Sequence, residues 1–88
     1  MNIDIENLKK RIIYRSQYRG TKEMDKLLGA FVSKYISILN NQQLLKLEKF
    51  LDLDDENLYK YYNGFKTTIL IDNEDEIMIL FKKFVYKV

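Results

Sequence analysis

Three arginines at four-residue spacing are the residues of this chain whose type and position best suit recognition chemistry. The 88 residues include 12 lysines but only Arg11, Arg15 and Arg19 as arginines. A guanidinium donates hydrogen bonds in a planar fork that matches a carboxylate, which the ammonium of Lys does not. At this spacing the three side chains are expected on one face of a helix. Since a chain rich in Lys has no need of Arg for solubility, the arginines indicate a binding face.

Two tyrosines accompany these arginines at the same spacing. Tyr14 and Tyr18 lie four residues apart within the arginine segment, and aromatic and guanidinium groups are both enriched at the hot spots of protein interfaces. The alternative is a solvated basic stripe without a partner. We favour the interface, and we predict that Arg11, Arg15 and Tyr18 contact a partner protein.

A tight corner follows the first arginines and contains Arg19, Gly20 and Glu23. Gly20 supplies a backbone conformation or a close approach that a Cβ would forbid. Glu23 suits the third position of a capping box, in which its carboxylate reaches back to a free backbone N–H. These local roles do not explain why an Arg, a bare backbone and a Glu are gathered at one exposed corner. Such a corner lets a partner's main chain approach between two opposite charges.

The composition argues against an enzyme. The chain has no Cys and no His, which excludes disulfides, thiol nucleophiles, His-based general bases, and zinc or haem sites built on those ligands. Apolar residues make up 47% and charged residues 32%, as in an ordinary folded domain. One domain over residues 1–88 leaves little volume for a substrate pocket. We therefore predict a binding protein with no catalytic residue, no metal and no stably bound cofactor.

Charge is distributed unevenly along the chain. Residues 1–47 carry nine bases and four acids, and residues 48–76 carry three bases and nine acids. A positive end and a negative side suit an acidic protein partner at least as well as a nucleic acid. No apolar run approaches the about 20 residues of a membrane span, so no membrane insertion is expected. The first residues lack the pattern of a signal or transit peptide, which indicates a cytoplasmic location.

Hydrophobic periodicity predicts an all-α fold: a compact bundle of five short, mostly antiparallel helices. The second helix has the most regular amphipathic pattern and is expected to be central. The predicted core is Leu28, Phe31, Val32, Tyr35, Leu47, Phe50 and Phe81. The apolar positions assigned to the helices are Ile5, Leu8, Ile12 and Ile13 in the first; Met24, Leu27, Leu28, Phe31, Val32, Tyr35, Ile36 and Leu39 in the second; Leu44, Leu45, Leu47, Phe50 and Leu51 in the third; Leu58, Tyr59, Tyr61 and Tyr62 in the fourth; and Ile77, Met78, Leu80, Phe81, Phe84 and Val85 in the fifth.

Polar residues and glycine mark the predicted helix ends. The markers are Asn40 and Asn41 after the second helix, Asp54 or Asp55 before the fourth, Gly64 in a left-handed conformation after it, and Asp72 or Asn73 before the fifth. The acidic cluster at 52–56 is interpreted as helix capping rather than a metal site. Residues 65–72 have a β-prone composition without a second strand to pair with, so an extended connection packed on the bundle is predicted.

The corner lies within a longer segment that resembles a known family. Residues 14–25 read YRSQYRGTKEMD and closely resemble the signature of the succinate dehydrogenase assembly factor family, the SdhE-like proteins with an RGxxE motif. The chain departs from the family at Tyr61, where the family commonly has Trp. The similarity continues through Leu27, Leu28, Gly29 and Phe31, and then through Asp54, Asp55, Leu58, Tyr59, Tyr61 and Gly64, so that it covers nearly the whole chain.

The resemblance implies a function and a site. Family members promote covalent attachment of FAD to the flavoprotein subunit of succinate dehydrogenase, and fumarate reductase is a second candidate client. In those clients a histidine becomes bonded to the 8α-methyl carbon of FAD, so FAD is the cofactor of the client. The motif assigns client binding to Arg19, Gly20 and Glu23. The mitochondrial branch carries a presequence that is missing here, which makes this chain resemble a bacterial member, expected to be a monomer when free.

Two other classes of function remain open from the residues. A general helical adaptor, including an antitoxin-like protein, would use the same basic face on a different protein partner. A small nucleic-acid binder would use it on phosphates, and its affinity would fall steeply with salt. Capture of a flavoprotein subunit, a membrane protein or a nucleic acid would separate the three.

Overall fold

The computed structural model describes residues 4–67 and 75–86. It contains five helices in these ranges, and no strand is present within them. The helices are α1 (Ile5–Gln17), α2 (Lys22–Tyr35), α3 (Asn41–Phe50), α4 (Asp55–Tyr62) and α5 (Glu76–Lys83). α1 packs against α2 and α3, and α5 packs against α3 and α4. The predicted all-α class is confirmed, while the assignment of residues 1–88 to one domain stays a prediction.

Phe31 in α2 lies at the centre of the core, as predicted for the second helix. Its ring centroid lies 5.2 to 5.7 Å from those of Tyr35, Phe50, Phe81 and Phe84. The predicted core is buried except for Tyr35, which is only partly buried. The buried apolar residues are Leu8, Ile12, Met24, Leu27, Leu28, Phe31, Val32, Leu44, Leu47, Phe50, Leu51, Leu58, Ile77, Met78, Phe81 and Phe84.

Some apolar residues assigned to buried faces lie at the surface. Ile13 and Leu45 are each 37% exposed, Tyr59 is 50% exposed and Val85 is 70% exposed. Leu8 and Ile12 fill the buried face of α1, so Ile13 points away from it. Val85 follows the end of α5 at Lys83, and the prediction that α5 extends through it is wrong. Periodicity assigns a broad apolar stripe to each helix, whereas the neighbouring helices cover only part of that stripe.

The observed helix ends lie at or within a few residues of the predicted ends. α2 ends at Tyr35, earlier than predicted, and Ile36 and Leu39 pack on the core from the following turn. Asn40 then forms a capping box with Gln43 at the start of α3. Gly64 has φ +78°, which confirms the left-handed cap after α4.

The N-terminus of α5 is capped by Asp75, whose carboxylate accepts from the backbone N–H of Ile77 at 2.8 Å. The predicted caps, Asp72 and Asn73, lie outside the described residues. Of the predicted extended connection at 65–72, residues 65–67 are described, and they are neither helical nor part of a strand. None of the helices in 4–67 and 75–86 has the length and apolarity needed to cross a membrane.

Tyr61 is held between α4 and α5. Its hydroxyl donates to the carbonyl of Met78 at 3.2 Å, and Lys82 Nζ lies 5.1 Å from its ring centroid. Burial, with a smaller contribution from Asp75, raises the pKa of the Tyr61 phenol. The Tyr61 side chain thus packs α4 against α5, and its hydroxyl provides a hydrogen-bond donor for the carbonyl of Met78.

Candidate partner-binding site

The guanidinium of Arg19 is turned into the fold. Its side chain is 11% exposed, and three of its nitrogens donate hydrogen bonds to the region between α3 and α4. Nε donates to Asp55 Oδ1 at 2.8 Å, Nη1 to the carbonyl of Leu51 at 2.7 Å, and Nη2 to the carbonyl of Leu53 at 2.6 Å. Arg19 therefore ties the α1–α2 corner to the α3–α4 loop, and its planar fork is used within the chain.

Gly20 is held by the same carboxylate. Its backbone N–H donates to Asp55 Oδ2 at 2.9 Å. The sequence indicated a bare backbone at this corner, but the N–H of Gly20 is already bonded within the chain. A Cβ at this position would lie 3.3 Å from Asp55 Oδ2, closer than ordinary van der Waals contact. The missing side chain lets the carboxylate reach the backbone, and the residue itself remains exposed.

Glu23 lies in the first turn of α2 with an exposed side chain. Thr21 is the N-cap of this helix, and its hydroxyl accepts from the N–H of Met24 at 3.2 Å. The predicted capping box is wrong, because Glu23 is the second residue of the helix rather than the third. Its carboxylate makes no hydrogen bond or ion pair with the described residues. It is therefore the motif side chain that is free to bind a partner.

Arg11 and Arg15 face α3 and the turn that follows it. Arg11 Nε donates to Glu48 Oε2 at 3.0 Å, and Arg15 donates to the carbonyl of Glu48 at 3.3 Å and forms an ion pair with Asp52. The hydrogen bond with Glu48 raises the pKa of Arg11. Arg11 and Arg15 share one face of α1, but Arg19 lies beyond the end of this helix at Gln17, so the prediction that all three share one helix face is wrong. Glu48 and Asp52 partly neutralise the two helical arginines. Arg11 keeps 57% of its side chain exposed and Arg15 34%.

Tyr14 and Tyr18 form an exposed aromatic pair beside the corner. Their ring centroids are 4.6 Å apart, and the residues are 63% and 68% exposed. Tyr18 also lines the shallow depression that contains Arg15, Arg19 and Gly20. The structure therefore brings four of the six predicted site residues, Arg15, Tyr18, Arg19 and Gly20, to one depression. Arg11 and Glu23 line separate hollows of the surface.

Asp55 is the residue of this region that sequence reasoning assigned to a different role. The sequence predicts either Asp54 or Asp55 as the N-cap of α4. Asp54 is the N-cap, and its carboxylate accepts from Asn57 Nδ2 at 2.7 Å. Asp55 is the first residue of α4, where it is bonded to Arg19 and Gly20. The acidic cluster at 52–56 drew attention to Asp55 in the sequence. Its bond to Arg19 was not predictable, because Arg19 lies 36 positions away and is brought close only by folding.

Fold and site together define a small helical protein with an exposed, internally braced corner suited to contacting another protein. The family described as "Flavinator of succinate dehydrogenase" matches residues 10–85. The chain belongs to this family, as the RGxxE segment predicted.

Curated relatives carry a matching name. The chain is 35% identical over 72 residues to a Saccharomyces cerevisiae protein, covering 81% of this chain and 44% of that protein. It is 38% identical over 56 residues to an Aspergillus flavus protein, covering 64% and 19%. Both are called succinate dehydrogenase assembly factor 2, mitochondrial. A Drosophila willistoni protein called succinate dehydrogenase assembly factor 2-A, mitochondrial, is 34% identical over 86 residues, covering 96% and 54%.

The chain thus spans between about a fifth and about half of the length of these relatives. All three are eukaryotic proteins. The assignment of this chain to a bacterial member of the family stays a prediction.

Proposed function

We propose that this chain is an assembly factor that binds the flavoprotein subunit of succinate dehydrogenase and promotes covalent attachment of FAD to it. The observation that carries the proposal is the family match over residues 10–85, which includes the whole corner. The flavoprotein subunit of fumarate reductase is the second client we propose. FAD remains the cofactor of the client, and the chain holds no cofactor of its own.

The proposed role is accessory rather than catalytic. The chain contains no His, so the histidine that receives the flavin belongs to the client. Attack on the flavin methyl carbon requires that carbon to become electrophilic while the histidine is held at reacting distance. An assembly factor contributes by stabilising the client in that arrangement, which requires a well-ordered contact surface rather than a reacting group.

The geometry of the corner supports a division of labour within the motif. Arg19 and Asp55 hold the corner in place, and Glu23 and Tyr18 present a charge and an aromatic ring to the client. Gly20 has no side chain, so that client backbone can approach the main chain at this corner. Arg11 and Arg15 extend the contact through the parts of their side chains that remain exposed.

The pairing of the arginines favours a protein partner over a nucleic acid. Arg11, Arg15 and Arg19 each form an ion pair with an acidic residue of this chain, and phosphate binding relies on cations that are free to replace counterions. We also propose that the free chain is a cytoplasmic monomer.

The test uses the purified flavoprotein subunit without flavin, incubated with FAD in the presence or absence of this chain. Covalent flavin is read as fluorescence of the denatured client in a gel. We expect the chain to increase covalent flavin and Glu23→Gln to reduce the increase, whereas Glu6→Gln, an exposed acid in the first turn of α1, leaves it unchanged. Equal covalent flavin with and without the chain would contradict the proposal.

A further inference from the structure

A groove runs between α2 and α4 and includes Glu23 of the motif. It consists of two adjoining hollows that share Glu23, Met24 and Tyr59 as lining residues. One hollow, of about 310 Å³, continues to Leu27, Lys26, Asn63, Tyr62 and Tyr86. The other, of about 470 Å³, continues to Thr21, Asp55 and Glu56. The motif carboxylate therefore lies at the middle of a longer surface rather than at an isolated corner.

The first hollow is apolar and aromatic. Met24 and Leu27 form its floor and are almost fully buried, at 3% and 6% exposure. Tyr62 is held by its hydroxyl, which donates to the carbonyl of Phe84 at 2.5 Å and accepts from the N–H of Tyr86 at 3.3 Å. Tyr59 is half exposed, and its hydroxyl makes no hydrogen bond with the described residues. A preformed apolar hollow of this size accommodates one or two side chains of a partner.

The second hollow carries three carboxylates, those of Glu23, Asp55 and Glu56. Asp55 is already bonded to Arg19 and Gly20. Glu56 pairs with Lys60 at 2.9 Å but is 71% exposed, so this ion pair is weak and screened by water. Glu23 has no partner among the described residues. This end of the groove therefore offers two carboxylates to a cation.

We propose that the groove binds a basic segment of the client flavoprotein subunit. An aliphatic or aromatic side chain of that segment packs between Tyr59 and Tyr62, and a neighbouring Lys or Arg pairs with Glu23 and Glu56. Charge complementarity selects this occupant, since the acidic end disfavours an acidic segment. Lys26 lies at the aromatic end and repels a cation placed there, which favours binding of the basic side chain at the acidic end. The inference rests on the proposed function and adds the chemistry of the contacted segment.

The affinity test uses two variants, each with a matched control. Tyr59→Ala removes the exposed ring of the groove, and Phe65→Ala removes a ring that is 62% exposed outside it. Glu56→Gln removes a first-turn carboxylate of α4, and Glu6→Gln removes one from α1. We expect about tenfold weaker binding of the flavin-free subunit for Tyr59→Ala and several-fold weaker binding for Glu56→Gln, with the controls within twofold of the parent. Thermal melts of all four variants verify that each is folded.

A photo-crosslink identifies the occupant directly. Tyr59→p-benzoylphenylalanine places a reactive ring in the groove, and the same replacement of Phe65 is the control. The client peptide cross-linked from position 59 is expected to contain an apolar residue next to Lys or Arg. A cross-link to an acidic segment, or to a second copy of this chain, would overturn the inference.

The two proposals fail in distinguishable ways. If the parent chain does not bind the subunit, the proposed function fails and the groove loses its partner. If the parent binds and increases covalent flavin while Tyr59→Ala binds as tightly, only the groove inference is wrong.

Discussion

Asp55 binds Arg19 through one carboxylate oxygen and the backbone of the next residue, Gly20, through the other. The two distances are 2.8 Å and 2.9 Å. The Arg19 and Asp55 side chains are 11% and 22% exposed, so both charges are largely removed from water, and each depends on the other. This pair joins the loop before α2 to the first turn of α4, two elements that both border the groove.

The first prediction concerns this pair. Asp55→Asn keeps the size of the side chain but removes its charge and places an amide NH₂ opposite a hydrogen-bond donor. We expect the free energy of unfolding in urea to fall by about 2 kcal/mol, because an Arg in a partly buried site is left without its counter-charge. Glu48→Gln, which affects the more exposed pair with Arg11, should change it by less than about 1 kcal/mol. If both variants unfold at the parent's urea midpoint, Asp55 does not brace the corner.

The second prediction concerns the core. Leu28 is fully buried and Leu45 is 37% exposed. Leu28→Ala should therefore cost about 2 to 5 kcal/mol, since it removes buried methyl groups and leaves a cavity. Leu45→Ala should cost less than about 1 kcal/mol. Denaturant titration measures both, and similar losses would show that α2 does not occupy the centre of the bundle.

The third prediction compares two glycines. A Cβ at Gly20 lies 3.3 Å from Asp55 Oδ2, whereas at Gly29, inside α2, it lies 3.7 Å from Gln17 Cγ in ordinary contact. Gly29→Ala should stabilise the chain by about 0.5 to 1 kcal/mol, because Gly is unfavourable within a helix. Gly20→Ala should not stabilise it, since the carboxylate must shift away. Thermal melts of the two variants test the contrast, and equal gains would contradict it.

The fourth prediction concerns acid stability. A hydrogen bond from Gln43, followed by one from Lys46, lowers the pKa of Glu76. A carboxyl group with a lowered pKa in the folded state contributes stability above its unfolded pKa of about 4.3, and that contribution is lost as the pH falls through the folded value. Glu76→Gln should therefore reduce the loss of stability between neutral pH and the pH range below about 4. Urea midpoints of parent and variant across this range provide the measurement, and parallel pH profiles would contradict the assignment.

The local features of the chain were predictable from its residues. Helical spacing of apolar residues identified five helices and nearly the whole core, because burial of one face is the main source of helix stability in a folded protein. Gly64 was predictable as a cap, since a left-handed conformation favours glycine. The ends of α2 and α5 were less accurate, because Ile36, Leu39 and Phe84 pack on the core from beyond the last helical residue, and Val85 is exposed.

The sequence by itself determined that Arg11 and Arg15 lie on one face of α1 beside the RGxxE corner, because four-residue spacing acts within a helix and needs no distant partner. Only the tertiary structure decided which of these groups remain available. Arg19 bonds to residues 32 to 36 positions away, whereas Glu23, expected to cap its own helix, has no partner among the described residues. Folding places Glu48, Asp52 and Asp55 opposite the three arginines, and the resulting ion pairs engage charges for which the sequence alone shows no partner.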